Sequence, residues 1–225
     1  MTSHPGNLTT TTPVTQDRDR AMYDWAQRHR EILARNREIK PDLVFIGDSL
    51  IHYWSGEPKA PLEVHADSWY KCFSGFTMTN LGFGWDRTEN VLWRIEHGEL
   101  DGIDPKVILI KIGTNNIGLN TPEEIAAGIA AIVEAAHIRQ PGANILLLGL
   151  LPRGESGDTE NANALRAQRW NGTKHVFFRN IGQVLLHADG TRDASLYKDP
   201  VHIVAAGYDR IGPAIRNELL GIMAM

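Results

Sequence analysis

The feature of this sequence that most restricts its fold is a set of short, fully apolar runs that alternate with amphipathic stretches. The strongest runs cover residues 43–46, 107–112 and 145–151, and weaker strand candidates cover 79–81 and 175–178. A strand that is apolar at every position has both faces buried, which is typical of a parallel sheet covered by helices on both sides. We therefore expect an α/β fold, a single-domain three-layer α/β/α sandwich with a mainly parallel sheet.

Helical periodicity between these runs predicts the covering helices. Apolar residues at helical spacing predict one helix over 17–38. Asp-Arg-Thr-Glu at 86–89 resembles a capping box, and Thr-Pro-Glu-Glu at 121–124 supplies an N-cap, a proline at the first helical position and an acidic third residue. Further helices are expected over 160–170 and at the C-terminus, where Pro213 should kink the helix or mark a late start.

Composition excludes several classes of protein. The chain has 225 residues, of which 42% are hydrophobic and 22% charged, as in an ordinary folded domain. Its formal net charge of -4, without a basic block, argues against a nucleic-acid partner or an anionic membrane surface. No apolar run approaches the roughly 20 residues of a membrane span. Cys72 is the only cysteine, which excludes an internal disulfide framework, and we expect it to be a small filler residue.

The Thr-rich start of the chain is expected to be a disordered leader over residues 1–14, followed by one domain over 15–225. The leader lacks the positive start and apolar core of a signal peptide. Two origins stay open: a cytoplasmic protein, or a secreted or periplasmic protein whose signal peptide has been removed and a start methionine added.

The search for a functional site begins at the carboxyl ends of the predicted strands, because open parallel sheets bind ligands there. Three loops lie at such ends, at 47–49, 82–85 and 113–116. Nucleotide-binding motifs are absent from them: the second loop lacks the third glycine of a dinucleotide-binding motif, and the chain has no P-loop Gly-x-x-x-x-Gly-Lys. Metalloprotease spacing and a Gly-x-Ser-x-Gly elbow are also missing from the sequence.

Three polar residues suit nucleophilic catalysis. Ser49 lies between a buried strand and an expected helix N-terminus, where backbone N–H groups and the helix dipole can stabilise an oxyanion. His202 is the candidate base for its hydroxyl, and Asp199 can reach the other ring nitrogen if the chain turns between them. The alternatives are an N-cap serine, a structural histidine and a capping carboxylate.

Four blocks of sequence, in this order, resemble the SGNH/GDSL hydrolase family, and the resemblance runs from about residue 41 to the C-terminus. Two further stretches, 91–94 and 150–155, look most like the catalytic subunits of platelet-activating-factor acetylhydrolase and their bacterial relatives, several of which are acetyl esterases acting on carbohydrates. The four blocks are Gly47-Asp48-Ser49-Leu50, Asn80-Leu81-Gly82-Phe83-Gly84, Gly113-Thr114-Asn115-Asn116 and Asp199-Pro200-Val201-His202.

The resemblance implies a flavodoxin-like sheet and a triad of Ser49, His202 and Asp199. It also implies an oxyanion hole built from the Ser49 N–H, a backbone N–H of the second block and the Asn115 side chain, which is otherwise a turn residue. Close relatives read Gly-x-Gly-Gly-Asp in the second block, and the last glycine donates. Here Trp85 stands at that position, so either Trp85 or Gly84 supplies the donor. No cofactor or metal is implied.

The expected function is a serine esterase that removes short acyl groups, above all acetyl, from a carbohydrate or another small-molecule ester. One alternative is activity on lipid esters, like that of a platelet-activating-factor acetylhydrolase or a lysophospholipase. A second, from another class, is a catalytically weak relative that binds a sugar or a protein, with Trp85 as the sign of lost function. Oligomeric state stays open, with a homodimer as one candidate.

Other side chains near these loops have plainer interpretations. Asp48 is expected to be a structural hydrogen-bonding residue. Arg153 and Glu155 either line the site or pair with each other. The six tryptophans are expected mostly to pack in the core, and the alternative of stacking on a sugar face applies to Trp54, Trp69 and Trp85.

Overall fold

One five-stranded parallel sheet forms the centre of the protein. The structure, a computed structural model, describes residues 9–154, 158–170 and 172–225. The strand order is β2-β1-β3-β4-β5, and every neighbouring pair is parallel, which is the order of flavodoxin-like folds. This confirms the expected α/β fold class. The strands are β1 (Leu43–Gly47), β2 (Met78–Gly82), β3 (Val107–Lys111), β4 (Asn144–Leu148) and β5 (Val176–Arg179).

Helices cover both faces of the sheet. Alternate residues of β1 point to opposite sides, so that Val44 and Ile46 join one apolar cluster and Leu43 and Phe45 join the other. The first cluster is completed by α1, α4 and α5, and the second by α3 and α7. The helices are α1 (Trp25–Glu38), α2 (Ser49–His52), α3 (Ala66–Phe73), α4 (Thr88–Glu96), α5 (Pro122–Arg139), α6 (Asp158–Trp170) and α7 (Ala205–Met223).

The first helix is shorter than its sequence period predicts. The prediction of a helix over 17–38 is wrong for its first eight positions, because α1 begins at Trp25. Asp24 is the N-cap, and its side chain accepts a hydrogen bond from the Gln27 N–H at 2.8 Å. The preceding residues form turns and make contacts elsewhere in the structure.

Two of the predicted helix ends behave differently from each other. Thr121 and Glu124 form the expected reciprocal capping box of α5, with bonds of 3.2 and 3.0 Å. The helix α4 also begins where expected, but Asp86 does not cap it, since its carboxylate is bonded to other side chains.

Pro213 lies inside α7, which begins eight residues earlier at Ala205, so the expectation of a late start is wrong. The helix α3 was not predicted.

Part of the predicted leader is packed against the domain. Thr10 is fully buried, and its carbonyl accepts from the Thr88 hydroxyl at 3.0 Å. Val14 exchanges hydrogen bonds with α4, donating to the Glu89 carbonyl and accepting from the Asn90 side chain. The expectation of disorder is therefore wrong for residues 9–14, and residues 1–8 of the leader lie outside the described residues. Within the described part of the chain, no helix is both long and apolar enough to cross a membrane.

A glycine at the end of β2 allows α2 to lie directly on the sheet. A Cβ atom at Gly82 would be 2.3 Å from the His52 nitrogen and 2.7 Å from its Cα, distances that only a backbone shift can relieve. The position of α2 therefore depends on the missing side chain at Gly82.

We predict that Gly82→Ala lowers the free energy of unfolding by about 1–3 kcal/mol, because the added methyl group overlaps the backbone of α2. Gly142→Ala is the matched control, since a Cβ there has nothing within 4 Å. The control should be neutral or more stable by up to about 1 kcal/mol. Urea unfolding of both variants checks this, and equal stability of the pair contradicts the tight approach of α2.

Candidate active site

The strand order brings the three predicted loops to one edge of the sheet. β1 lies between β2 and β3, and Gly47 is in register with Gly82 on one side and with Lys111 on the other. The chain that leaves β1 at Ser49 is therefore flanked by the chain leaving β2 and the chain leaving β3.

The structure brings the three predicted triad residues together, although Ser49 lies 153 positions before His202 in the sequence. The Ser49 Oγ lies 2.9 Å from the His202 Nε2, and the His202 Nδ1 lies 2.7 Å from the Asp199 Oδ2. An ionised carboxylate only accepts hydrogen bonds, so the proton of a neutral imidazole is on Nδ1. Nε2 is then free to accept the serine hydroxyl proton.

A tight turn holds Asp199 against the imidazole. The Lys198 N–H donates to the His202 carbonyl at 2.9 Å, and the Asp199 Oδ1 accepts from the N–H groups of Val201 and His202 at 2.8 Å each. Partial burial raises the pKa of Asp199, but these donors and the imidazole outweigh it, so the net pKa lies below its ordinary value. The carboxylate therefore stays ionised beside the ring.

A buried ion pair supports the loop that carries Ser49. The Asp48 carboxylate accepts from the Leu50 N–H at 3.0 Å and from the Lys111 Nζ at 2.9 Å. Burial lowers the pKa of Lys111, and the adjacent Asp48 carboxylate opposes that shift. This agrees with the structural role expected of Asp48. Because α2 has only four residues, its aligned peptide dipoles sum to little, and its N–H groups matter more than the predicted helix dipole.

The chain between β2 and α4, residues 83–86, is named here the β2–α4 loop, and nearly all of its backbone polar groups are bonded. The Phe83 N–H donates to the Gly47 carbonyl at 3.0 Å, and the Asp86 N–H donates to the Phe83 carbonyl at 3.2 Å. The Gly84 N–H donates to the Nδ1 of His52 at 3.0 Å. The Trp85 N–H is the exception, because the described residues provide no acceptor for it.

The two candidate donors of the second block differ in whether their N–H groups are already hydrogen-bonded. The Gly84 N–H is already committed to His52, whereas the Trp85 N–H is free. Trp85 has φ +63°, the left-handed region that glycine adopts without cost, and its side chain is 51% exposed. Asn115 contacts the same loop, because one of its amide N–H groups donates to the Asp86 carbonyl at 2.9 Å and leaves the other available.

A segment before α1, residues 16–23, holds the carbonyls of the β2–α4 loop and is named here the N-terminal strap. The Gly84 carbonyl accepts from the Gln16 side chain at 3.0 Å and from the Tyr23 hydroxyl at 2.8 Å. The Trp85 carbonyl accepts from Arg18 at 3.1 Å. These contacts explain why residues 17–24 are not helical.

A buried ionic network anchors the end of the same loop. Asp86 accepts from the Trp25 indole N–H and from the Arg94 guanidinium, each at 2.8 Å, and Arg94 also pairs with the buried Glu99. The Arg94 guanidinium lies 3.9 Å above the Phe83 ring. Burial raises the pKa of Asp86 to about 6, although Arg94 and the other donors act against that shift.

The other residues singled out in the sequence lie partly in the core and partly near the site. Trp54 and Trp69 are fully buried, as core packing requires, which rules out the alternative that they stack on a sugar; of the three, only Trp85 is exposed. Arg153 donates to the Thr114 carbonyl at 2.6 Å, and Glu155 lies outside the described residues. Cys72 is free and buried. The described residues contain no group of three or more His, Cys, Asp or Glu side chains able to hold a metal ion.

Sequence reasoning missed three contributors to the site: His52, Lys111 and the N-terminal strap. Lys111 had a detectable signal, because a lysine that ends an otherwise apolar buried strand needs a partner nearby. His52 and the strap had none, since their contacts with the β2–α4 loop join segments distant in the sequence.

We predict that Trp85→Gly is more stable than Trp85→Ala by about 1 kcal/mol, because only glycine occupies the left-handed region without strain. Both variants lack the indole, so the comparison isolates the backbone. Chemical unfolding measures the difference. If residue 85 had a negative φ, the alanine variant should be the more stable of the two. That outcome would contradict the left-handed conformation at this position.

Comparison with known proteins places the chain among acylhydrolases. The model of the GDSL-like Lipase/Acylhydrolase family matches residues 45–210. The human platelet-activating factor acetylhydrolase IB subunit alpha1 is 34% identical over 205 residues, which cover 89% of this chain and 84% of that protein. The alpha2 subunit from Rattus norvegicus is 35% identical over 204 residues, covering 88% of this chain and 85% of that subunit.

Solved structures share the fold. A GDSL-like lipase from Bacteroides thetaiotaomicron has a TM-score of 0.66 at 18% identity and covers 86% of this chain and 97% of that one. A carbohydrate esterase family 3 protein from Talaromyces cellulolyticus has a TM-score of 0.60 at 15% identity and covers 81% and 97%. Because the family model spans most of the chain and its blocks meet at one sheet edge, this protein belongs to the GDSL-like lipase/acylhydrolase family and is an ester hydrolase.

Proposed function

We propose that this protein is a serine esterase that removes short acyl groups, above all acetyl, through a triad of Ser49, His202 and Asp199. The observation that carries the proposal is the continuous chain of hydrogen bonds from the Ser49 hydroxyl through the imidazole to the Asp199 carboxylate. Both contacts have hydrogen-bond lengths, and they link serine to histidine and histidine to aspartate, as activation of a serine nucleophile requires.

The proposed reaction uses these groups in two halves. The Ser49 Oγ attacks the ester carbonyl while its proton moves to the His202 Nε2, and the imidazolium is stabilised by Asp199. His202 then gives that proton to the leaving alkoxide, which leaves an acyl-enzyme. In the second half His202 takes a proton from water, the resulting hydroxide attacks the acyl carbon, and the acid product leaves as Ser49 regains its proton.

The negative oxygen of each tetrahedral intermediate needs fixed donors. The geometry supports the free N–H of Trp85 as the backbone donor of the second block, since the Gly84 N–H is engaged with His52. The unused amide hydrogen of Asn115 and the N–H of Ser49 complete the proposed hole, as the sequence analysis expected. Such preorganised donors are each worth about 10²–10³ in kcat.

Three observations support a short acyl group and a carbohydrate substrate. Relatives that are 34–35% identical are named acetylhydrolases, and a structural neighbour is named a carbohydrate esterase. In addition, the half-exposed indole of Trp85 lies on the same loop as the proposed donor. An exposed aromatic ring is suited either to bounding the acyl group or to stacking on a sugar.

A lipid ester is the second candidate substrate, favoured by the platelet-activating factor in the names of those relatives. The catalytically weak binding relative is the remaining alternative. It has less support, because a tryptophan at this position still has a backbone N–H without an acceptor among the described residues.

We predict that Ser49→Ala abolishes hydrolysis of p-nitrophenyl acetate and labelling by a fluorophosphonate, because both need the Ser49 oxygen as nucleophile. Ser195→Ala is the control, since Ser195 is exposed and its hydroxyl bonds only to Asp193 among the described residues. The control should keep wild-type rates and full labelling. Retained activity in the Ser49 variant would contradict the proposed triad.

We predict that Trp85 limits acyl length, so that acetyl esters are cleaved much faster than hexanoyl or longer ones. Forcing a methylene against packed atoms costs about 1–3 kcal/mol, so the preference should be steep. Trp85→Gly should flatten the profile across p-nitrophenyl acetate, butyrate and octanoate, and Trp85→Phe, which keeps a ring, should preserve it. An unchanged profile in the glycine variant would reject the acyl wall. A rise in KM for acetylated sugars alone would assign the indole to the leaving group.

A further inference from the structure

We infer that His52 is a positioning residue for the oxyanion hole, acting as a hydrogen-bond acceptor that fixes the β2–α4 loop with the Trp85 N–H unpaired. This inference rests on the proposed function, because an oxyanion hole has a role only if Ser49 is the nucleophile. His52 itself touches no reacting atom in this account. It acts through Gly84.

The position of His52 links the nucleophile to the loop. His52 is the last residue of α2 and Ser49 is the first, so the two lie one helical turn apart on the same rigid element. The His52 Nδ1 is 3.0 Å from the Gly84 nitrogen. The α2 backbone thus carries the nucleophile at one end and the acceptor for the β2–α4 loop at the other.

The imidazole of His52 is held firmly in one orientation. The side chain is 1% exposed, and its ring stacks on Tyr53 with a centroid distance of 4.5 Å. Tyr23 of the N-terminal strap meets the ring edge-on at 4.7 Å. A ring packed from both sides cannot turn to offer Nε2 in place of Nδ1 without disturbing the core.

The hydrogen bond defines the protonation state of His52. A backbone N–H only donates, so Nδ1 must carry a lone pair, and the proton of the neutral ring is on Nε2. Burial, with Arg28 and Arg94 nearby, holds the pKa of His52 well below its ordinary value. The other ring nitrogen, Nε2, is buried and has no hydrogen-bond partner among the described residues. Burial therefore favours the neutral ring, and the Gly84 N–H selects the form in which Nδ1 is the acceptor.

Loss of this acceptor should displace the donor. Without it, the Gly84 N–H is buried with no partner, which costs free energy that the chain can recover by rotating the Gly84–Trp85 region. Rotation would also release the positive φ of Trp85. The contact with His52 therefore opposes a relaxation that would move the Trp85 N–H from its place in the proposed oxyanion hole.

The matched pair His52→Asn and His52→Leu tests this role, because the two side chains have nearly the same shape and only asparagine can accept a hydrogen bond. Steady-state kinetics with p-nitrophenyl acetate should show His52→Asn within about fivefold of wild-type kcat and His52→Leu reduced about 10–100-fold, as expected for a misplaced oxyanion donor. KM should change little in either variant, because the contact affects the transition state most.

The outcomes distinguish this inference from the proposed function. If Ser49→Ala is inactive but the leucine and asparagine variants have equal kcat, His52 only packs and the inference is wrong. If Ser49→Ala retains activity, the proposed function fails, and the inference fails with it.

A second measurement uses the unmodified protein, in case the leucine variant does not fold. Nitrogen-15 NMR of labelled histidine should show His52 with an unprotonated Nδ1 and a coupling through the hydrogen bond to the Gly84 N–H. A protonated Nδ1 would overturn the inference whatever the kinetics show.

Discussion

The site depends on one constraint in the β2–α4 loop: every backbone N–H and carbonyl group of the loop is hydrogen-bonded except the Trp85 N–H. His52 accepts from Gly84, the N-terminal strap donates to the carbonyls of Gly84 and Trp85, and Asn115 donates to the Asp86 carbonyl. A loop held at so many points cannot rotate freely. The one N–H without a partner is therefore held in a fixed position, as a donor of the proposed oxyanion hole would need to be.

That constraint has an energetic cost, which the rest of the structure offsets. Trp85 occupies the left-handed region, which costs about 1–2 kcal/mol for a residue with a Cβ atom. The buried network of Asp86, Arg94 and Glu99 anchors the end of the loop next to the strained residue. Removing one partner of such a network leaves an unpaired buried charge, so the network resists local relaxation.

Sequence reasoning reached the elements that depend on local patterns. Three apolar runs predicted β1, β3 and β4, and two weaker candidates predicted β2 and β5. The blocks that follow β1, β2 and β3 were expected to meet at one sheet edge, because these strands are parallel and adjacent. Sequence reasoning failed where contacts between distant segments override the local secondary-structure preference. The predicted helix extended back to residue 17, yet the strap residues bond to the β2–α4 loop instead. Asp86 resembles a helix cap in the sequence, but its carboxylate accepts from Arg94. Likewise, the choice between Gly84 and Trp85 depends on His52, 32 positions earlier in the chain, so no local pattern contains it.

The most direct test of this account is a crystal structure of the enzyme with a phosphonate on Ser49, whose phosphoryl oxygen imitates the oxyanion. We expect this oxygen to lie about 2.7–3.1 Å from the Trp85 nitrogen and from the Asn115 amide nitrogen, while the Gly84 N–H stays bonded to His52. A phosphoryl oxygen bound instead to the Gly84 N–H, with the His52 contact broken, would contradict it.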